Sequence, residues 1–248
     1  MRGAAVRRPR PRLGAHPRLR RASQRACFAA CRRCTSGREA AMRILHLVSY
    51  SLFSGPVPPT LGLAVAQRAA GHQVYLAADT QRGNFNGYEE AAAPHLAAAD
   101  FAPPANLHLS THAGPWQTLC DLRRLQAFVR QAQIDVVHCH TSHDHTLMAL
   151  LPGSGPTLMR TVHNAHLWRR RFLQRRLLAR CAGLIVRSRA HHALFSRQLG
   201  VAGERLRAIA AGVDSRRFAS PSSPAAGLAW RRRLGVPASA PLVGQVAL

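Results

Sequence analysis

The sequence contains no lysine: all 35 of its basic side chains are arginine. It is also poor in acids, with 10 Asp and Glu in 248 residues, so its formal net charge is +25. An all-arginine set carries the mark of coding bias. Guanidinium groups nevertheless offer planar, two-pronged contacts to phosphate. Aromatic residues make up only 6% of the chain. No run of about 18 or more apolar residues is present, so no helical membrane span is expected. No apolar stretch near the N-terminus has the form of a secretory signal. Cysteine is sparse, with Cys27, Cys31 and Cys34 near the start and Cys120, Cys139 and Cys181 scattered beyond. The scattered three lie in apolar surroundings, where a reduced thiol behaves as a small hydrophobe.

What is present is enough for a core, since 47% of residues are hydrophobic. The charge is unevenly placed. Residues 1–41 hold 12 arginines and the single acid Glu39. Their mixture of Arg, Pro and Ala lacks amphipathic order and reads as a disordered leader. Within it, Cys27-x3-Cys31-x2-Cys34 has the spacing of radical enzymes that bind a four-iron cluster. Arg32 and Arg33 fill the second gap, and the composition is that of a disordered segment, so no cluster is expected. The remaining residues carry 23 arginines and nine acids. That surplus favours anionic partners such as nucleotide diphosphates, nucleic acid or an anionic membrane face. No recognisable nucleic-acid module accompanies the charge, and no specific nucleic acid is expected.

From Met42 the pattern changes. Apolar runs at 43–48, 73–78, 135–140, 156–163, 183–187 and 206–209 suit strands buried on both faces, with a weaker candidate at 106–109. Between them, helical spacing appears at 61–70, 116–133, 146–151, 167–181 and 190–199. A Ser/Gly/Pro loop covers 49–59, and Gly71 stops the first helix. Alternation of this kind predicts an α/β fold, a doubly wound parallel sheet. Residues 214–248 read as a connector, a short helix near 228–234 and a new apolar strand at 241–248. That last strand has no helix to cover it, so it is expected to open a second domain that the chain truncates.

Four features then resemble glycosyltransferase family 4, whose members are two-domain GT-B enzymes. They are MRILHLVS from Met42 with the helix ending at Gly71-His72-Gln73-Val74; Asp135-Val-Val-His138-Cys-His140; the strand end Thr161-Val-His163; and Ala208-Ile-Ala-Ala-Gly212-Val213-Asp214 with Phe218. The resemblance covers Met42 to Leu248 and implies a Rossmann-like N-terminal, acceptor-side domain over 42–213. It implies a retaining transferase that moves a sugar from a nucleotide-sugar donor to a glycan or lipid acceptor, a cell-envelope precursor being the favoured class. The nucleotide sugar is a co-substrate, and no cofactor is implied. The groups that meet the leaving phosphate belong to the second domain.

By the same resemblance, His163 is the candidate catalytic residue, beside the transferred sugar. Gly55 and His140 are candidates for donor or acceptor binding. Gly55 lies in the loop where the family approaches phosphate through backbone N–H groups. Pro56, Pro58 and Pro59 depart from that pattern, because proline has no N–H. His138 and His140 point to one face of their strand and Cys139 to the other. The stretch HCHTSHDH, residues 138–145, has zinc-like composition. The family works without bound metal and no second ligand cluster is evident, so no metal is expected. Asp214 is expected to fix the interdomain turn. The basic stretch Leu167 to Cys181 is either a helix packed on the sheet or a peripheral contact with an anionic membrane. The expected location is cytoplasmic, with possible attachment to the inner face of the cell membrane. The rival to the enzyme is a non-catalytic fragment that binds acceptor or membrane.

Overall fold

The structure is a computed structural model and describes residues 41–79, 91–101, 107–151, 155–163, 171–199, 201, 203–212 and 224–241. The leader with Cys27, Cys31 and Cys34, the Asp214 turn and the strand expected at 241–248 fall outside the described residues, except for Pro241. The contact pattern divides the chain into two units, Met1–Ala40 and Ala41–Leu248. The second unit carries the sheet, its helices and the candidate site.

Six parallel strands form one sheet: β1 (Arg43–Val48), β2 (Gln73–Ala78), β3 (Val136–Cys139), β4 (Thr157–Val162), β5 (Gly183–Val186) and β6 (Leu206–Ala208), in the order β2-β1-β3-β4-β5-β6. All six coincide with expected strands to within about a residue or two. Their near-continuous Val, Leu, Ile and Ala content suits strands covered on both faces. The weak strand expected at 106–109 is absent: Leu107–Ser110 is irregular, and Leu109 takes φ +55°. The amides of His108 and Leu109 reach the buried carboxylate of Asp121 instead, at 3.3 and 3.2 Å, so they have a local acceptor and need no strand partner.

The helices are α1 (Val57–Ala69), α2 (Ala92–Ala98), α3 (Pro115–Gln131), α4 (Ser142–Leu150), α5 (Arg171–Ala179), α6 (Arg189–Leu199) and α7 (Pro224–Arg233). Three start about a turn earlier than periodicity suggests, α7 at Pro224 among them. Helix α1 begins within the proline stretch read as loop, because proline in a first turn gives up only an N–H that would have no intrahelical partner. Helix α4 begins at Ser142 because Thr141 and Asp144 form a capping box. The short, alanine-rich α2 has no counterpart among the expected helices.

Two apolar clusters lie on opposite faces of the sheet. Leu45 and Leu47 of β1 and Val137 and Cys139 of β3 pack with Leu125 and Val129 of α3 and Leu147 of α4. Val48, Leu76 and Ala78 pack with Val57 and Ala64 of α1 and Leu96 of α2. Strand alternation sends His46, His138 and His140 to the α1 face. Of α5, Leu178 is buried in the α3-side cluster and Arg175 and Arg176 are exposed, so this helix packs on the domain with an outward arginine face.

Candidate functional site

The chain runs from β1 out to β2 and then crosses back to place β3 on the other side of β1. This reversal makes the carboxyl ends of β1 and β3 the topological switch point, where open α/β sheets leave a crevice for ligands. One buried carboxylate ties these ends together. Asp144 accepts from the Ser49 N–H at 2.8 Å, the Ser49 hydroxyl, the His140 N–H at 3.2 Å and the Thr141 N–H at 2.7 Å. On the α3 side of β4, the buried Arg160 guanidinium donates to the Thr141 carbonyl and the Ser142 hydroxyl, both at 3.0 Å. The loops after β1 and β3 are thereby fixed on one frame.

On the α1 face, four imidazoles form a continuous group. His46 and His138 are paired residues on β1 and β3. The ring centroids of His138 and His140 lie 4.3 Å apart, and those of His140 and His163 lie 5.4 Å apart. A hydrogen-bonded line runs through three of the rings. Gln67 Oε1 of α1 meets His46 Nε2 at 2.6 Å, His46 Nδ1 meets His140 Nε2 at 3.1 Å, and His140 Nδ1 meets His163 Nε2 at 3.1 Å. His138 Nε2 is held by the Thr161 hydroxyl at 2.8 Å. His163 is half-buried at the end of β4, and its Nδ1 has no hydrogen-bond partner among the described residues.

Burial pushes the rings toward neutrality, because a desolvated imidazolium is costly. His46 falls to about 4, against a smaller upward pull from its bond to Gln67. His138 falls to about 3, again through burial, helped by His46 and His163. His140 is driven well below its ordinary range by burial and then by its neighbours His138, His46, His163 and Arg160. His163 falls to about 4 through burial and the cations Arg187 and Arg160, with Asp144 opposing. At neutral pH the group is uncharged.

His140 and His163 are thus brought into direct contact, as neighbours in one line. Gly55 is exposed in the turn after β1 with φ +55°. A Cβ there would meet nothing nearer than Tyr50 at 3.9 Å, so only backbone strain opposes a side chain. Gly55→Ala is expected to cost about 1 kcal/mol, the penalty of a left-handed conformation for an L-residue, read as a shift in the urea midpoint at unchanged slope.

The histidine-rich stretch 138–145 is not one site. His143, Asp144 and His145 belong to α4, where His145 Nε2 lies 3.0 Å from Cys181 Sγ on the far side of the sheet from His138. The ring nitrogens of His46, His138 and His140 do come within 4.8 Å of one another, close enough for a shared cation. His46 is the residue that sequence reasoning missed. Its signal was available: it stands on a central strand with the same parity as the pair on β3, at a position otherwise filled by Leu, Ile or Val.

Comparison with known proteins agrees with this architecture. The Glycosyltransferase Family 4 profile matches residues 60–217, well over half of the chain. The chain belongs to glycosyltransferase family 4. No curated protein sequence matches it. Among solved structures, a glycosyltransferase from Rickettsia africae ESF-5 is similar at 15% identity and a TM-score of 0.62, over 82% of this chain and 52% of that one. Sucrose-phosphate synthase from Thermosynechococcus elongatus is similar at 14% identity and a TM-score of 0.54, over 80% and 54%. These likenesses give the GT-B fold of the family's N-terminal half. The chain spans about half the length of either structure.

Proposed function

We propose that this chain supplies the acceptor-side half of a retaining glycosyltransferase, transferring a sugar from a nucleotide-sugar donor to a cell-envelope lipid or polysaccharide precursor. The observation that carries the reading is the neutral imidazole group at the switch point of a family 4 domain. It ends in an unpartnered nitrogen on His163, at the end of the sheet where such folds bind ligands. His163 contacts the transferred sugar, His140 positions His163, and the Gly55 turn lines the donor side of the cleft. The leaving diphosphate needs cationic or helix N-terminal partners, which the family places in its other half. No helix among the described residues is long and apolar enough to cross a membrane. We place the protein in the cytoplasm, where the exposed arginines of α5 give peripheral contact with anionic lipid.

The test is transfer of labelled sugar by the 248-residue chain, alone and combined with a nucleotide-binding GT-B half, over a panel of donors and acceptors. Transfer in the combination that falls about tenfold or more in His163→Ala supports the reading, that being the scale of one lost hydrogen bond to a reacting group. The second reading is a non-catalytic domain that binds acceptor or membrane, with the exposed Arg175 and Arg176 of α5 as its basic face. Correct folding with no transfer in either arrangement selects it.

A further inference from the structure

Each neutral imidazole carries one proton, on either Nδ1 or Nε2, and the partner of one nitrogen decides the state of the other. The line Gln67–His46–His140–His163 therefore has only two consistent polarities. In the orientation the structure gives Gln67, Oε1 faces His46 and has no proton to give, so His46 donates from Nε2. His46 Nδ1 is then bare and accepts from His140 Nε2–H. His140 Nδ1 is bare in turn and accepts from His163 Nε2–H. The only nitrogen left over is His163 Nδ1, which is forced into the acceptor state and is the buried atom without a partner.

We propose that Gln67, acting through His46 and His140, fixes the tautomer of His163 so that Nδ1 is presented as a hydrogen-bond acceptor to a hydroxyl group of the sugar substrate. This rests on the reading of His163 as a sugar-contacting residue. Gln67 and His46 are positioning residues, since neither reaches the substrate. The far end of the line is an amide oxygen that does not take up a proton at neutral pH, so the line orients His163 and carries no net proton away from it. His163 accordingly selects a hydroxyl donor in place of acting as a general base, and its low basicity agrees with that division.

The same geometry bears on the metal alternative. A cation held by His46, His138 and His140 needs a free lone pair on each. In this polarity the one bare nitrogen of each ring is already accepting, His46 Nδ1 from His140 and His140 Nδ1 from His163, at 3.1 Å in both cases. On His138, Nε2 is engaged with Thr161.

The test is a long-range proton–nitrogen correlation spectrum of the full chain with 15N-labelled histidine at pH 7. The expected pattern is Nε2 protonated and Nδ1 bare in His46, His140 and His163. In Gln67→Lys, an ammonium that only donates replaces the amide oxygen, and all three rings are expected to reverse, with Nδ1 of His163 protonated. Gln67→Leu, a near-isosteric change at a half-buried helix position, guards against misfolding of the first variant and is expected to give a mixture of both tautomers. A protonated His163 Nδ1 in the unaltered chain would overturn the proposal, as would an unchanged pattern in both folded variants. So would a stoichiometric complex with added Zn2+ seen at His46, His138 and His140. Sugar transfer by the chain combined with a GT-B second half separates the two levels. Reversal of the tautomers with a loss of about tenfold or more supports the whole chain of inference. Reversal without loss leaves the tautomer control intact and removes His163 from substrate contact.

Discussion

Between pH 6.5 and about 4 the domain is expected to lose its structure in one cooperative transition, visible in circular dichroism and reversible on returning to pH 7. The cause is proton linkage. In the unfolded chain a histidine takes up its proton near the ordinary value of 6.5, whereas His46 resists to about 4 and His138 to about 3 in the folded domain. Below 6.5 the unfolded state therefore binds more protons than the folded one, and stability falls as pH falls. Above 6.5 both states are neutral at these rings and nothing is lost. For His46 alone the difference amounts to roughly 3 kcal/mol by pH 4. His138 adds a comparable amount, in a domain whose whole stability is expected to lie within about 5–15 kcal/mol. His163 and His145 shift in the same direction, and added charge in a chain already at +25 works the same way. Proton NMR of the imidazole Cε1–H resonances checks the cause directly. Rings that titrate near 6.5 in a chain still folded at pH 4 would rule the account out.

This acid sensitivity reaches the candidate site, because His46, one of the groups that fail at low pH, is also the ring that joins Gln67 to His140. Acidification should therefore disrupt the His46–His140–His163 line and the fold in the same transition.

The sheet was legible because its strands are nearly uninterrupted apolar runs and because βαβ units admit one handedness of crossover. Boundaries were less legible where a side chain far along the sequence or a cap supplied the missing hydrogen bonds. Asp121 satisfies the amides of 108 and 109 from α3, and the Thr141–Asp144 box starts α4 one turn ahead of its apolar periodicity. At the site, His140 and His163 were read from motifs and the structure joins them. The rest of the line was hidden for a physical reason. His46 lies within an apolar strand and Gln67 within an ordinary helix. Only the parallel pairing of β1 with β3 and the packing of α1 over β1 bring them to His140. The zinc-like stretch 138–145 misled in the opposite sense, since the change from strand to helix at Thr141 sends its members to two faces of the sheet.

Asp144→Ala is expected to be the most damaging single substitution in the described domain, costing about 4 kcal/mol or more. The carboxylate has no solvent exposure and accepts four hydrogen bonds, from Ser49 N–H and hydroxyl and from the N–H groups of His140 and Thr141. Removing it strands four donors in a buried place, each with a desolvation cost of roughly 1–3 kcal/mol that entering water only partly relieves. It also removes the anion that supports the charge of Arg160, itself only 4% exposed. A buried guanidinium that loses its counter-charge is costly beyond any hydrogen bond. Asp144→Asn keeps one oxygen but turns an NH2 group toward N–H donors, so its loss should approach that of alanine. Urea unfolding of the three proteins measures this, with unchanged slope as the sign that only stability has moved. A cost below about 1 kcal/mol for alanine would mean that the loops after β1 and β3 do not depend on this carboxylate. Asp144 also holds the backbone at His140 and so bears on where the line from His46 meets His163.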